Sequence, residues 1–163
     1  MTEDAQAATA TQQPQIKLLS QYVRDLSFEN PAAGRTLNAK PDIQINVNVN
    51  ARKAEEPTAL TFEVSLQLKA TASVDGGPAF VAEVDYAGIF QLDGAPENLV
   101  HAILLIECPR LLFPFARRVM ADVSRDGGYP PLMLDPIDFA TLYKRQMEQQ
   151  RASARPAPPQ TLM

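Results

Sequence analysis

The segment Ile43-Gln-Ile-Asn-Val-Asn-Val-Asn50 alternates apolar and polar residues without a break, with Ile43, Ile45, Val47 and Val49 on one side and Gln44, Asn46, Asn48 and Asn50 on the other. A period of two over this length predicts a half-buried β-strand. Leu60, Phe62, Val64, Leu66 and Leu68 repeat the pattern against Thr61, Glu63, Ser65, Gln67 and Lys69, and predict another. Asp75-Gly-Gly-Pro78 is a turn signal, because glycine supplies positive φ at little steric cost and proline cannot continue a central ladder. After it Phe80, Ala82, Val84 and Tyr86 alternate with Val81, Glu83 and Asp85, and Ile89, Phe90 and Leu92 follow. This predicts a strand with a bulge or bend at Ala87-Gly88. Ile16 to Glu29 is less regular. It puts Leu18, Tyr22, Leu26 and Phe28 on one face and Asp25 and Glu29 on the other, and is predicted as the first strand. Asn30 to Pro41, with two prolines and a glycine, is a long irregular connection rather than a tight hairpin.

From Pro96 the period changes. Glu97 to Cys108 is apolar nearly all the way round, and a proline at its start costs no hydrogen bond, so a helix is predicted there that must be covered on more than one side. One sheet covers one face, which leaves the other to a second copy of the chain. Phe113-Pro114-Phe115 is predicted to open a further helix that stops at Gly127-Gly128. Asp135-Pro-Ile-Asp138 reads as an N-cap, a proline in the first turn and an acid three residues on. It leads into a last helix with Phe139, Tyr143 and Met147 at four-residue spacing. Four strands followed by helices, with no βαβ alternation and no internal repeat, predict an α+β fold: a four-stranded antiparallel sheet packed on C-terminal helices.

Composition narrows the class. The 163 residues fit one domain, and 45% apolar with 21% charged residues is ordinary for a globular protein. Residues 1–14 and the Pro-rich 152–163 read as disordered, solvated tails around a folded unit at 15–151. The opening residues lack the basic and apolar regions of a secretory signal, and no uninterrupted apolar run reaches the ~18 residues of a bilayer span. A soluble protein retained where it is made is expected. A single cysteine, Cys108, excludes a disulfide framework or a cysteine-cluster zinc site and fits a reducing compartment. The net charge of −4 argues against nucleic acid as a partner. Between Lys69 and Arg110 there is no Lys or Arg, while Asp75, Glu83, Asp85, Asp93, Glu97 and Glu107 lie inside that stretch, so an acidic face suited to a basic partner is expected.

Catalytic chemistry is sparse. No phosphate-binding, dinucleotide, zinc-protease, nucleophile-elbow or EF-hand motif occurs. The sole histidine, His101, sits among apolar neighbours, where a packed interface role outweighs catalysis. Cys108 has no activating base near it in sequence and reads as a buried, inert thiol. Asp25 with Glu29 and Glu83 with Asp85 each share the polar side of a strand, as a solvated face or as a flat acidic docking surface. Aromatics and methionines gather around prolines at Phe113–Phe115, Tyr129–Leu134 and Phe139/Tyr143. They can serve as core or as the lining of an adaptable groove.

Four blocks, Asp25-Leu-Ser-Phe-Glu-Asn-Pro31, Phe80 to Phe90, Cys108 to Arg117 and Gly128 to Phe139, follow in the order and at the spacing in which the chain resembles the SecB protein-export chaperones, from about Gln15 to Gln149. The resemblance implies a cytoplasmic, ATP-independent chaperone without a cofactor or enzymatic activity. Such a chaperone holds precursor proteins unfolded and delivers them to the SecA translocation ATPase. It also implies a homotetramer, a dimer of dimers with no direct membrane insertion, in which Val84 and Tyr86 affect association. Leu99, His101 and Ile103 of the apolar helix are assigned to the same interface. The SecA-docking positions correspond to Asp25, Glu29, Val81 and Glu83, which would meet a basic, zinc-bearing C-terminal segment of that partner. Client capture maps onto Leu37, Ile43, Ile45, Val47, Phe139, Leu142 and Tyr143. Some members of the family serve toxin–antitoxin pairs instead, which gives a dedicated antitoxin chaperone as the alternative.

Overall fold

The alternating half of the chain forms one antiparallel sheet in a computed structural model that describes residues 13–55 and 60–155. Its strands are β1 (Gln15–Glu29), β2 (Asp42–Lys53), β3 (Thr61–Val74) and β4 (Gly77–Asp93), laid side by side in the order β1-β4-β3-β2. Strands β1 and β2 therefore lie at opposite edges, and the irregular segment after Glu29 is the crossover that carries the chain past the end of β3 and β4. Ala32 in it is buried, and its N–H donates to Ala79 O at 3.3 Å. Asp75 and Gly76 make the β3–β4 turn, both with positive φ (53° and 76°), the two-residue geometry that matches strand twist.

The register corrects two sequence expectations. Strand β4 passes through Ala87-Gly88 in unbroken register with β3, so no bulge lies there. Glycine is needed at 88 for another reason: a Cβ would come within 3.0 Å of Leu112 and Leu18 side chains where the helical layer presses on the sheet. Besides a shift between Ala72 and Ser73 next to the β3–β4 turn, β1 carries two irregularities, between Leu18 and Ser20 and between Val23 and Asp25. Each inserts one residue, and a one-residue slip reverses the facing of every side chain until the next. Tyr22 consequently lies on the opposite face from Leu18, Leu26 and Phe28. The sheet face toward the helices carries Val64, Leu66, Leu68, Ala70, Val84, Phe90 and Leu92, all with no exposure.

The helical half differs more. In place of two separate helices, one helical run extends from Glu97 to Asp126, made of α1 (Glu97–Ala102), a π-helical turn (Ile103–Glu107) and α2 (Cys108–Asp126). Pro109 has no N–H to donate to the carbonyl four residues back, and its ring crowds that carbonyl. The wide turn directly before it fits this demand. Pro114 lies inside α2 rather than at a helix start. The run joins the two apolar stretches that the sequence separates. Its most apolar window, of mean hydropathy 1.6, is long and apolar enough to cross a bilayer. In this fold Cys108, Leu112, Ala116 and Met120, one face of α2, are buried against the sheet. The run ends as predicted at Gly127-Gly128, with Gly128 at φ 93°.

The last helix, α3 (Phe139–Ser153), starts later than predicted. Its N-cap is Asp138, not Asp135, and the Asp138 carboxylate accepts from Thr141 N at 3.0 Å and Thr141 Oγ1 at 2.8 Å. Asp138 Oδ1 satisfies an orphan first-turn donor that Asp135, three residues before the helix, does not reach. Helix α3 runs two residues past the expected boundary at residue 151. Most of the expected tails, 1–12 and 156–163, lie outside the described residues.

Candidate functional site

The sheet face away from the helices is polar and built across all four strands. Glu63 of β3 is only 7% exposed, because long side chains from both edges close over it. Arg52 Nε of β2 donates to Glu63 Oε1 at 2.8 Å, Arg24 Nη1 of β1 donates to the same oxygen at 3.0 Å, and the Tyr22 hydroxyl donates to Oε2. Tyr22 and Arg24 reach across β4 where the residue opposite Tyr22 is Ala87 and leaves room. The hydrogen bond from Arg52, then that from Tyr22, holds the Glu63 carboxyl below its ordinary range, while burial and the neighbouring carboxylate raise the Tyr22 phenol. Arg24 Nε lies 3.8 Å from Asp85 Oδ2, and Asp85 Oδ1 accepts from Ser65 Oγ at 2.5 Å.

The four positions assigned to partner docking come together beside this network. Asp25 is paired in register with Asp85, Ser27 with Glu83 and Glu29 with Val81. The second register break turns both Arg24 and Asp25 to the polar face. Asp25, Glu29 and Glu83 are exposed, and Val81 is half-buried between them. The acidic stretch as a whole does not make one surface. Asp93 pairs with Lys17 at 3.2 Å, Glu107 with Arg110 at 2.9 Å, and Asp85 is engaged inside the sheet. Sequence reading missed the Tyr22–Arg24–Arg52–Glu63 cluster. The charges were visible, but their meeting depends on strand order and on the break at Arg24.

The apolar candidates separate into accessible and inaccessible groups. Ile43 and Ile45 are 36% and 38% exposed along the helix-facing side of β2, with Val47 partly covered. Leu37 lines two crevices beside the crossover, of about 410 and 500 Å³. Phe139 is 1% exposed, its ring edge-on to Phe113 at 6.2 Å, so it anchors α3 and is closed to a ligand. Leu142 and Tyr143 are partly buried against the core, and Tyr143 Oη lies 3.2 Å from His101 Nδ1. A wider cleft of about 750 Å³ opens between the far end of β2, Leu60, Phe62 and the π-helical turn.

The residues assigned to subunit contact divide in the same way. Val84 has no exposure and Tyr86 8%, so both pack inside their own chain. Tyr86 stacks on Phe115 at 6.3 Å, and Phe115 is 42% exposed. Leu99 is exposed at 45%, His101 is exposed beside Tyr143, and Ile103 is partly buried. Leu111 on α2 and Leu18, Val23 and Leu26 on the helix side of β1 add exposed apolar area that the sequence did not single out.

Cys108 has no exposure, and burial pushes its thiol up to about 12, which accords with an inert role. Among the described residues no three His, Cys, Asp or Glu side chains are grouped to hold a metal ion.

Residues 9–150 match the family model described as preprotein translocase subunit SecB. The protein-export protein SecB of Maricaulis maris is 53% identical over 89% of this chain and 84% of its own length. That of Ruegeria pomeroyi is 45% identical over 93% of each. Among solved structures, a Mycobacterium tuberculosis SecB-like chaperone in complex with a ChAD peptide from an antitoxin superposes with a TM-score of 0.57 over 76% of this chain and 90% of its own. At 18% identity that likeness carries the fold. The match over most of its length, at an identity far above what a shared fold alone requires, makes this chain a member of the SecB family.

Proposed function

We propose that this chain is an ATP-independent cytosolic chaperone that binds unfolded precursor proteins, keeps them competent for translocation and hands them to the SecA ATPase. Membership in the SecB family carries the export role, and this is a family of chaperones rather than enzymes. The observation that supports the binding half is the exposed apolar side of β2 with crevices at the crossover. Such a surface takes apolar segments that a folded protein hides. The delivery half is supported by Asp25, Glu29 and Glu83 standing exposed around Val81, a flat acidic patch that fits the basic, zinc-bearing end of SecA. Any zinc belongs to that partner. The working assembly is a homotetramer, supported by the uncovered apolar side of α2 and β1. It offers several weak sites, and a long client held at more than one gains effective concentration of ~10²-fold without any tight contact. Dedication to a single antitoxin is not favoured, because the relatives of high identity are named export proteins.

Size exclusion with light scattering, with and without a reduced, chemically unfolded precursor, tests this reading. A species of about 72 kDa, four times the 17.9 kDa chain, that gains one client is expected. A monomer that ignores the client overturns it. Glu83→Lys is expected to abolish binding of the SecA C-terminal segment with the native mass unchanged, and undiminished affinity removes Glu83 from the docking site.

A further inference from the structure

Strand β1 pairs Val23 with Tyr86 and Asp25 with Asp85, so Arg24 is the residue inserted at the second register break, with nothing opposite it on β4. Val23 faces the helices, and plain alternation from it would return Asp25 to the helix side. The break puts Asp25 on the polar face instead, directly across from Asp85. Like charges in that position repel, so the arrangement needs a cation close by.

Arg24 is that cation. Its guanidinium turns inward over β4: Nη1 donates to Glu63 Oε1 at 3.0 Å, and Nε lies 3.8 Å from Asp85 Oδ2. The Glu63 and Asp85 side chains are 9% and 16% exposed, against 40% for Arg24, so the charge is drawn toward the covered acids. Ser65 Oγ donates to Asp85 Oδ1 at 2.5 Å and fixes that carboxylate from the β3 side. Glu63 also takes Arg52 at 2.8 Å. Both arginines of this face are thereby engaged away from the docking acids, and among the described residues no ion pair involves Asp25, Glu29 or Glu83.

We propose that Arg24 is a positioning residue for the docking patch: anchored on Glu63, it offsets the charge of Asp85 and holds the register break that presents Asp25 to the partner. The inference rests on the docking reading and adds to it the residue that prepares the patch. Bulges commonly re-aim a side chain in this way beside functional sites. Charge alone predicts the opposite consequence of losing Arg24, because removing a cation beside an acidic patch strengthens its pull on a basic partner.

Calorimetric titration of the full-length protein with the zinc-loaded C-terminal segment of SecA tests the proposal, with native mass followed by light scattering. Arg24→Gln is expected to weaken binding about tenfold while native mass and the binding of an unfolded precursor stay unchanged. Asp25→Asn is expected to weaken it by a similar factor. In the Asp25→Asn background, Arg24→Gln is then expected to change affinity by less than about twofold, because it acts through Asp25. Arg24→Lys keeps the charge without the planar fork and is expected to recover part of the loss. If Arg24→Gln fails to assemble, Glu63→Gln removes its anchor without altering β1, and is expected to weaken docking about threefold with the same dependence on Asp25. Affinity of Arg24→Gln equal to or above wild type overturns the proposal and leaves the docking reading standing. Equal losses with and without Asp25 make Arg24 a direct contact or a purely structural residue, and overturn it too. A wild type that does not bind the segment, or binds it as well after Asp25→Asn, removes docking at Asp25 and the proposal with it.

Discussion

Glu63 shows what one side chain does when three donors converge on it from three positions in two other strands. Its charge-assisted bonds are made on a half-covered surface where both arginines keep contact with water, which limits their worth. Glu63→Gln is expected to lower unfolding free energy by about 1–2 kcal/mol, read from the urea midpoint at pH 7. Because the folded-state pKa of Glu63 is depressed, the stability it supplies is present above the ordinary glutamate value of 4.5 and is lost as acid brings the pH down through the lowered value. The Tyr22 phenol is raised above its ordinary 10.0, so its contribution is intact below that pH and fades as base carries the pH through the raised value. Urea midpoints of wild type and Glu63→Gln are therefore expected to converge toward pH 3. A constant gap over that range assigns the network no electrostatic role. Cys108 makes a second test at this scale. With its thiol at about 12 and no exposure, alkylation at pH 8 is expected only after denaturant is added, and rapid labelling of the native protein contradicts the packing described.

Among the helices, α3 has a single deep anchor. Phe139 is its one buried residue, aided by the Asp138 cap and by the Tyr143–His101 contact, while the rest of the helix is exposed or half-covered. Phe139→Ala is expected to cost about 3 kcal/mol and to release α3 before the sheet unfolds, because a ring is removed from a site with no water to replace it. Hydrogen exchange of α3 amides against those of β3 checks this, and simultaneous loss of both makes α3 part of the core. The long helix and the sheet meet at Gly88, where Leu112 and Leu18 leave room for a hydrogen only. Gly88→Val is expected to overpack that contact by about 1–3 kcal/mol, measured by thermal unfolding.

At the scale of the whole molecule, one subunit leaves apolar surface open on the outer side of α2 and along the helix side of β1, where Leu111, Phe115, Val23 and Leu26 stand more than 40% exposed. Area of this kind on a chain of net charge −4 fits a surface covered by another copy. Phe115→Asp is expected to lower the native mass below that of the proposed tetramer with circular dichroism unchanged, and an undisturbed mass excludes this face from the interface. Val84 and Tyr86 are expected to act differently. Both pack within the subunit, so replacing them loosens the sheet–helix contact under Phe115 and weakens association through it.

Much of this was legible in the chain itself. Four strands, the long irregular connection Asn30–Pro41, the glycine stop at Gly127-Gly128, the buried thiol and the positions of Asp25, Glu29, Val81 and Glu83 on a polar face all follow from local period, turn chemistry and apolar neighbours. Those depend on neighbours a few residues away. What depended on distant partners could be settled only by the tertiary structure. The breaks in β1 that turn Tyr22 and Arg24 toward Glu63 exist relative to β4 alone, and the strand order that leaves β2 at an edge is a property of the sheet. The fusion of two predicted helices through a π-helical turn, and the burial of Phe139 rather than its exposure in a groove, were decided by the packing of helices on the sheet. Period and propensity say which residues prefer an apolar side, and the fold decides which of those sides is closed.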